Sequence, residues 1–344
     1  MRADRLVESA PTPDQDSVTS SANPPTPKWA SSTDRRPAIS TAIKIVVVLA
    51  LFGGLAVALE GGWERIRDVQ WQFEPWSVAA SAALLIAASV WGALAWFIVA
   101  RAFGSSIAVL PALRIYSQSN LGKYLPGKVL HAVARVYLAQ QQGMPVTLAT
   151  SVVLIDVVMY IAAGLLVIVA ALPTIVGPMI QRINDGSAAA VDSGPLVAVA
   201  IVGLVVGLGM LHPAALNWSF GIARRIMPSR EFPTINASYA TMLSIFLLYL
   251  ILWALYTVSL YAGILSVISI DVTQLPTLGA IYALSYLAGL LMPIAPAGLG
   301  VREGLMALLL AQLVPYPAAL AASVLVRVLQ VAAEGLCAAA FSRA

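Results

Sequence analysis

Nine residues inside apolar stretches of this 344-residue chain are the candidates for chemistry by charge: Lys123, Lys128, His131, Arg135, Asp156, Arg302, Glu303, Arg327 and Glu334. A charge in hydrocarbon costs about 2.5–3.5 kcal/mol on insertion scales, so each one needs a partner, an aqueous cavity or a function. Lys128, His131 and Arg135 follow at i, i+3 and i+7 and so share one face of a helix. That face is a cationic stripe. Beside it Gly122, Pro126 and Gly127 form a break with turns and unpaired amides, and a helix starting near Gly127 directs its positive dipole end into the membrane. Cations, free amides and a helix N-terminus together suit a phosphate group. For Lys123 and Lys128 a plainer role competes, in which they snorkel to headgroups while Gly and Pro shape a turn.

A second break runs through Pro293, Pro296, Gly298 and Gly300 to Arg302 and Glu303. Adjacent residues on a helix point about 100° apart, so one of this pair can face a cavity and the other a neighbouring helix. Ser323, Arg327, Gln330 and Glu334, at steps of four, three and four, draw a polar stripe on an apolar helix. An interhelical network that fixes packing accounts for that stripe, and substrate contact is the alternative. Asp156 and Tyr160 form a shorter version, in which Asp156 can pair with Arg135 or Arg327. Enzyme signatures are sparse. The only histidines are His131 and His212, with no Cys/His/Asp group at ligand spacing, and no serine elbow, Walker loop or dinucleotide fingerprint occurs. The expectation is therefore no metal, no cofactor and no catalytic residue. Tyr249, Trp253 and Tyr256 share a helical face, and Trp71 and Trp76 flank a span; all five read as packing and interfacial residues.

The elements that must position these residues follow from composition. The chain is 60% hydrophobic and 10% charged, with a mean hydropathy of +0.86. Soluble domains run near 25% charged, so no core could hide this apolar surface from water. An all-α integral membrane protein follows, and a nucleic-acid binder, a soluble enzyme and a secreted disulfide scaffold are excluded. The net charge of +4 then marks cytoplasmic loops and contacts to anionic lipid. The single cysteine, Cys337, rules out an intrachain disulfide and a thiolate cluster.

Residues 1–41, rich in Ser, Thr and Pro, read as a disordered cytoplasmic tail ahead of a membrane domain over 42–342. Apolar runs at 42–59, 77–100, 147–172, 195–212, 241–265 and 317–341 predict six full spans. The first is a retained span and not a cleaved signal, because the polar stretch before it is too long for a signal n-region. Two further apolar stretches, 107–140 and 277–313, carry the breaks in their middles. Displacing the chain by 170 residues lays Pro126 on Pro296, Gln142 on Gln312 and Pro145 on Pro315. This predicts an internal repeat, residues 77–172 and 247–342, joined through the span at 195–212. With each broken stretch a re-entrant helical hairpin, the odd linking span inverts the second repeat, and interrupted segments at matching positions point to a transporter's binding site. Lys28, Arg35, Arg36, Arg101, Arg114, Arg224, Arg225, Arg230 and Arg343 then fall on one side, which the positive-inside rule makes cytoplasmic, together with both termini. Eight full spans is the alternative topology.

At the two breaks the sequence resembles the transmembrane region of lysylphosphatidylglycerol synthases and their free-standing polytopic relatives. The resemblance covers roughly residues 40–342. It rests on Asn120-Leu121-Gly122-Lys123-Tyr124-Leu125-Pro126-Gly127-Lys128 continuing to Arg135, and on Gly298-Leu299-Gly300-Val301-Arg302-Glu303-Gly304. It implies movement of a lipid with a polar or phosphorylated head between leaflets, or service to lipid-linked glycan assembly. The synthases' soluble aminoacyl-transferase domain has no counterpart after the last span, so synthase activity is not carried over. The expected activity is a lipid flippase of the inner or plasma membrane, whose substrate is a phospholipid or a polyprenyl-phosphate lipid. Lys123, Lys128, Arg135, Arg302 and Glu303 would bind substrate, Asp156, Arg327 and Glu334 would form a charge network, and Glu303, Asp156 and Glu334 would neutralise the empty site or carry a coupling proton. The rival expectations are a membrane-embedded transferase on a lipid phosphate, and a non-transporting partner of a lipid-modifying enzyme or glycosyltransferase.

Overall fold

The computed structural model describes residues 74–124, 130–186, 194–226, 234, 237–292 and 298–343. All are helical or connecting, with no strand among them. The expected tail at 1–41 and the span at 42–59 lie outside the described residues, as do Pro126, Gly127, Lys128 and Pro296.

Ten α-helices are described: α1 Pro75–Ala102, α2 Val109–Asn120, α3 Leu130–Gln141, α4 Val146–Gly186, α5 Gly194–Met210, α6 Pro213–Ile226, α7 Tyr239–Leu265, α8 Leu275–Leu291, α9 Val301–Leu310 and α10 Tyr316–Ala340. Their ends follow local chemistry. Proline at the first turn opens α1, α8 and α10, where its missing N–H costs nothing. Ser238 caps α7, its Oγ accepting the Thr241 amide at 3.1 Å. Gly143, with φ of +82°, closes α3, and the Met144 amide reaches back to the Ala139 carbonyl at 3.1 Å.

Five helical segments are long and apolar enough to cross a membrane: Pro75–Ala102, Val146–Thr174, Tyr239–Leu265, Val272–Leu291 and Tyr316–Ala340. Four coincide with predicted spans. The fifth falls largely in the broken stretch 277–313, which the sequence reading made a re-entrant hairpin and not a full span. A 3₁₀ turn, Val272–Gln274, runs directly into α8, whose Pro276 stands in the first turn, so the segment extends for 20 residues with no further proline before Pro293. The predicted linking span at 195–212 overlaps α5, a 17-residue helix that is not among these five segments.

α1 packs on α7, α4 on α8, and α10 on α1, α7 and α9. Between membrane helices, packing depends on close approach, and glycine supplies it. A Cβ at Gly263 would lie 2.4 Å from Val326 Cγ2, and one at Gly164 would lie 2.6 Å from the Trp253 ring. Leu85, Trp96, Tyr249, Trp253 and Tyr282 are fully enclosed at these crossings.

A candidate anion site between the two breaks

Each break brings its two arms together at a glycine. After α2 a 3₁₀ turn, Leu121–Tyr124, carries the chain toward α3, and a Cβ on Gly122 would stand 3.1 Å from the His131 backbone. At the second break Gly298 has φ of +69°, and a Cβ there would stand 2.6 Å from Gly289 Cα on α8. Only glycine fits that contact, for reasons of both conformation and space.

Between the breaks lies a cavity of about 80 Å³, several times the ~10–15 Å³ that admits one water. Asn120, Lys123 and His131 line it from the first break. Tyr286, Gly289, Leu290, Gly298 and Arg302 line it from the second, and Arg327 comes from α10. Lys123 and Arg302, 179 positions apart in the chain (302 − 123), thus face one space.

The cations around this cavity are held differently. Lys123 Nζ donates to Glu334 Oε1 at 2.7 Å. Glu334, 3% exposed, also accepts from Tyr124 OH at 2.9 Å and from Gln330 Nε2 at 3.1 Å, and Tyr282 OH donates to Gln330 at 3.3 Å. Arg327 Nε pairs with Glu303 Oε1 at 2.9 Å, while Glu303 Oε2 accepts the Gly300 amide at 2.7 Å and so caps α9. Arg302 lies against aromatic faces instead, 4.3 Å from the Tyr286 ring centre and 4.9 Å from that of Tyr282. It is 4% exposed, and no carboxylate among the described residues lies within ion-pair distance of it. A guanidinium stacked on two rings gains about 2 kcal/mol or more per desolvated contact, but keeps its fork of donors for a bidentate acceptor.

Arg135 sits elsewhere. Its Nη1 is 2.5 Å from Asp156 Oδ2, its Nε donates to Ser119 Oγ at 3.0 Å, and its guanidinium lies 4.0 Å from the Tyr116 ring centre. Tyr249 OH donates to the second oxygen of Asp156. Asp156 therefore pairs with Arg135, and neither lines the cavity. The three predicted cations of the first break separate: Lys123 and His131's neighbourhood faces the cavity, Arg135 is enclosed, and Lys128 is outside the described residues. The adjacent pair Arg302 and Glu303 also diverges, the arginine onto the cavity and the glutamate onto α10.

Each helix that follows a break is tied to the next long helix by one buried ion pair, α3 to α4 through Arg135–Asp156 and α9 to α10 through Glu303–Arg327. The sign is exchanged between the two. Sequence reasoning missed Asn120, Tyr282 and Tyr286 as site residues, and assigned Tyr249 to packing alone. The signal for the pair of tyrosines was their i, i+4 spacing about two to three turns before a break that ends in an arginine. Tyr282, Tyr286, Trp253 and Tyr256 form one aromatic cluster, with Tyr256 stacked on Tyr282 at 5.2 Å and Trp253 edge-on to Tyr286 at 5.8 Å.

Among the described residues no group of His, Cys, Asp and Glu could hold a metal ion. No curated protein matches the chain. The sequence profile of the lysylphosphatidylglycerol synthase transmembrane region matches residues 41–336 and takes in both breaks. With that match and five membrane-length helices, the chain is a multi-pass membrane protein and belongs to the lysylphosphatidylglycerol synthase transmembrane-region family.

Proposed function

We propose that this protein moves a lipid with a phosphate in its head, a phospholipid or a polyprenyl-phosphate lipid, between the leaflets of the cell's inner or plasma membrane. The phosphate sits in the cavity between the two breaks, and the acyl or prenyl chains stay in the bilayer. One observation carries this reading: Arg302 is buried at the cavity wall with aromatic faces around it and no carboxylate partner among the described residues. A buried cation that lacks an acid is costly unless something neutralises it, and an incoming anion does so. Lys123 and Arg327 add cations already balanced by Glu334 and Glu303. The charge count over these five residues is one positive charge in excess, which a lipid phosphate offsets. Arg135 acts as a positioning residue that fixes α3 against α4.

In this reading the two broken stretches dip in from opposite faces, as an inverted repeat with both termini cytoplasmic. The protein is a transporter and not an enzyme, and it needs no cofactor; a lipid-modifying enzyme or glycosyltransferase would use its product. The test is leaflet exchange of labelled phosphatidylglycerol and polyprenyl phosphate in proteoliposomes. Wild type is expected to exchange one of them, and Arg302→Ala to lose at least about tenfold in rate, the worth of one charge-assisted hydrogen bond. Folded wild type that exchanges neither lipid, or Arg302→Ala at the wild-type rate, would overturn the proposal.

A further inference from the structure

The first broken stretch carries a second opening, at the end away from its break. Pro111, Arg114, Ile115 and Gln118 follow at i, i+3, i+4 and i+7 and so form one stripe of α2. Across from this stripe the same groove is lined by Leu138 and Gln141 of α3 and by Gln142 just beyond it. α2 and α3 pack on each other, and a stripe at this spacing on a membrane helix ordinarily closes its seam with small or apolar side chains. Here the seam leaves about 200 Å³ open, more than ten times the ~10–15 Å³ that admits one water. The floor is apolar, with Ile115 buried and Leu138 half-buried. The rim is polar, with Arg114, Gln141 and Gln142 exposed.

Charge and hydrogen-bonding capacity narrow the occupant. The lining holds one cation and no acid, and Arg114 takes part in none of the ion pairs among the described residues. Its planar fork of donors matches a phosphate. Three primary amides share the groove with it, and each both donates and accepts, as a hydroxyl does. A bare phosphate has only acceptors to offer and leaves the amide oxygens without a donor. A sugar supplies donors and acceptors together at its edges, and its C–H face suits an apolar floor; a few placed polar groups over an apolar lining is the usual build of a small-molecule site.

We infer that this groove receives the head of a glycosyl-phosphate lipid, with Arg114 on the phosphodiester and Gln118, Gln141 and Gln142 on the sugar hydroxyls. The inference rests on the proposed function and narrows its lipid to one with a sugar on its phosphate. Such a phosphodiester carries a single negative charge, equal to the positive excess of the cavity between the breaks. Asn120, which lines that cavity, follows Gln118 by two residues and Arg114 by six, about 3 and 9 Å along the helix axis. Groove and cavity are therefore successive stations along one helix: the groove selects the head, and the cavity carries its phosphate.

The experiment uses full-length protein in detergent and three probes: farnesyl phosphoglucose, farnesyl phosphate and dihexanoylphosphatidylglycerol. Binding is measured by calorimetry on the wild type and on Arg302→Ala, in which the cavity is disabled. Arg302→Ala is expected to bind farnesyl phosphoglucose at least about tenfold more tightly than either other probe. Adding Arg114→Gln is expected to weaken that binding at least about tenfold, the worth of one charge-assisted hydrogen bond. Adding Gln118→Ala with Gln141→Ala instead is expected to bring farnesyl phosphoglucose down to the affinity of farnesyl phosphate. Arg114 and Gln141 are exposed and Gln118 is half-buried, so these variants keep the fold. The loss of sugar preference is read in the wild-type background as well, which keeps the test if Arg302→Ala misfolds. Equal affinity for the three probes, tighter binding of dihexanoylphosphatidylglycerol, or undiminished binding with Arg114→Gln would overturn the groove and leave the cavity standing. The expected pattern of binding in a protein that exchanges no lipid between leaflets would overturn transport and leave the groove standing.

Discussion

At the scale of single residues, the two buried arginines that the sequence could not tell apart are expected to respond in opposite ways. Arg135→Ala strands Asp156, enclosed with one cation partner among the described residues, and breaking such a pair from one side costs about 3–5 kcal/mol. A fall in thermal stability in detergent, relieved in Arg135→Met combined with Asp156→Leu, is the outcome to look for. Arg302→Ala strands no described carboxylate. Its stability is expected to fall by no more than the worth of its two aromatic contacts, with no stranded acid added, while lipid binding and exchange collapse. Arg302→Lys is expected to restore little, because an ammonium group cannot reproduce a planar fork laid on two rings. Gly298→Ala adds a Cβ 2.6 Å from the Gly289 backbone at a φ of +69°. Strain of this kind costs about 1–3 kcal/mol, and the second break must shift away from α8, carrying Arg302 with it. Reduced lipid affinity alongside reduced stability, measured on the same preparation, would bear this out; unchanged affinity would show that Gly298 does not set the position of Arg302.

At the scale of elements, the turn that leads into α8 depends on Asp271. Its carboxylate accepts from the Thr273 amide at 2.7 Å, and hydrogen bonding from Thr273 holds its pKa below the usual carboxylate range. A carboxylate lowered on folding contributes its stability in full above the unfolded pKa of ~3.9, and loses it as pH falls through the lower folded value. Protection of the Thr273 amide, its exchange rate relative to the intrinsic rate at each pH, is therefore expected to fall on acidification through that window in the wild type, and to be low and without that pH step in Asp271→Asn. The length of Val272–Leu291 bears on topology. That segment covers 20 residues and α9 covers only 10, so the two arms of the second break are unequal. With Cys337 replaced by serine, a cysteine introduced at Met292 is expected to resist membrane-impermeant reagents from the cytoplasmic face, as a re-entrant segment requires. Rapid labelling from that face would favour the eight-span topology instead.

At the scale of the whole molecule, Lys123–Glu334 joins the turn after α2 to α10 across more than two hundred residues. Exchanging the two, Lys123→Glu with Glu334→Lys, keeps an ion pair between the same elements but turns the cavity wall acidic. The double variant is expected to recover stability lost in either single variant, yet not lipid exchange; recovery of exchange would mean that the pair only fastens the fold. The all-α membrane class, four of the spans and the family were legible in the sequence, because apolar run length and glycine–proline breaks are local properties that bilayer thickness and backbone sterics fix directly. The polar stripe of α10 was legible too, as Ser323, Arg327, Gln330 and Glu334 at helical spacing. Partners were not. Asp156 had two arginines to choose from, Lys123 had equal claims to be a headgroup contact or a site residue, either Arg302 or Glu303 could face a cavity, and Tyr282 and Tyr286 looked like any aromatic pair in an apolar helix. A charge's role depends on which opposite charge stands within a few ångströms once helices cross, and only the tertiary structure decided that Arg135 is enclosed with an acid while Arg302 is enclosed against aromatic rings.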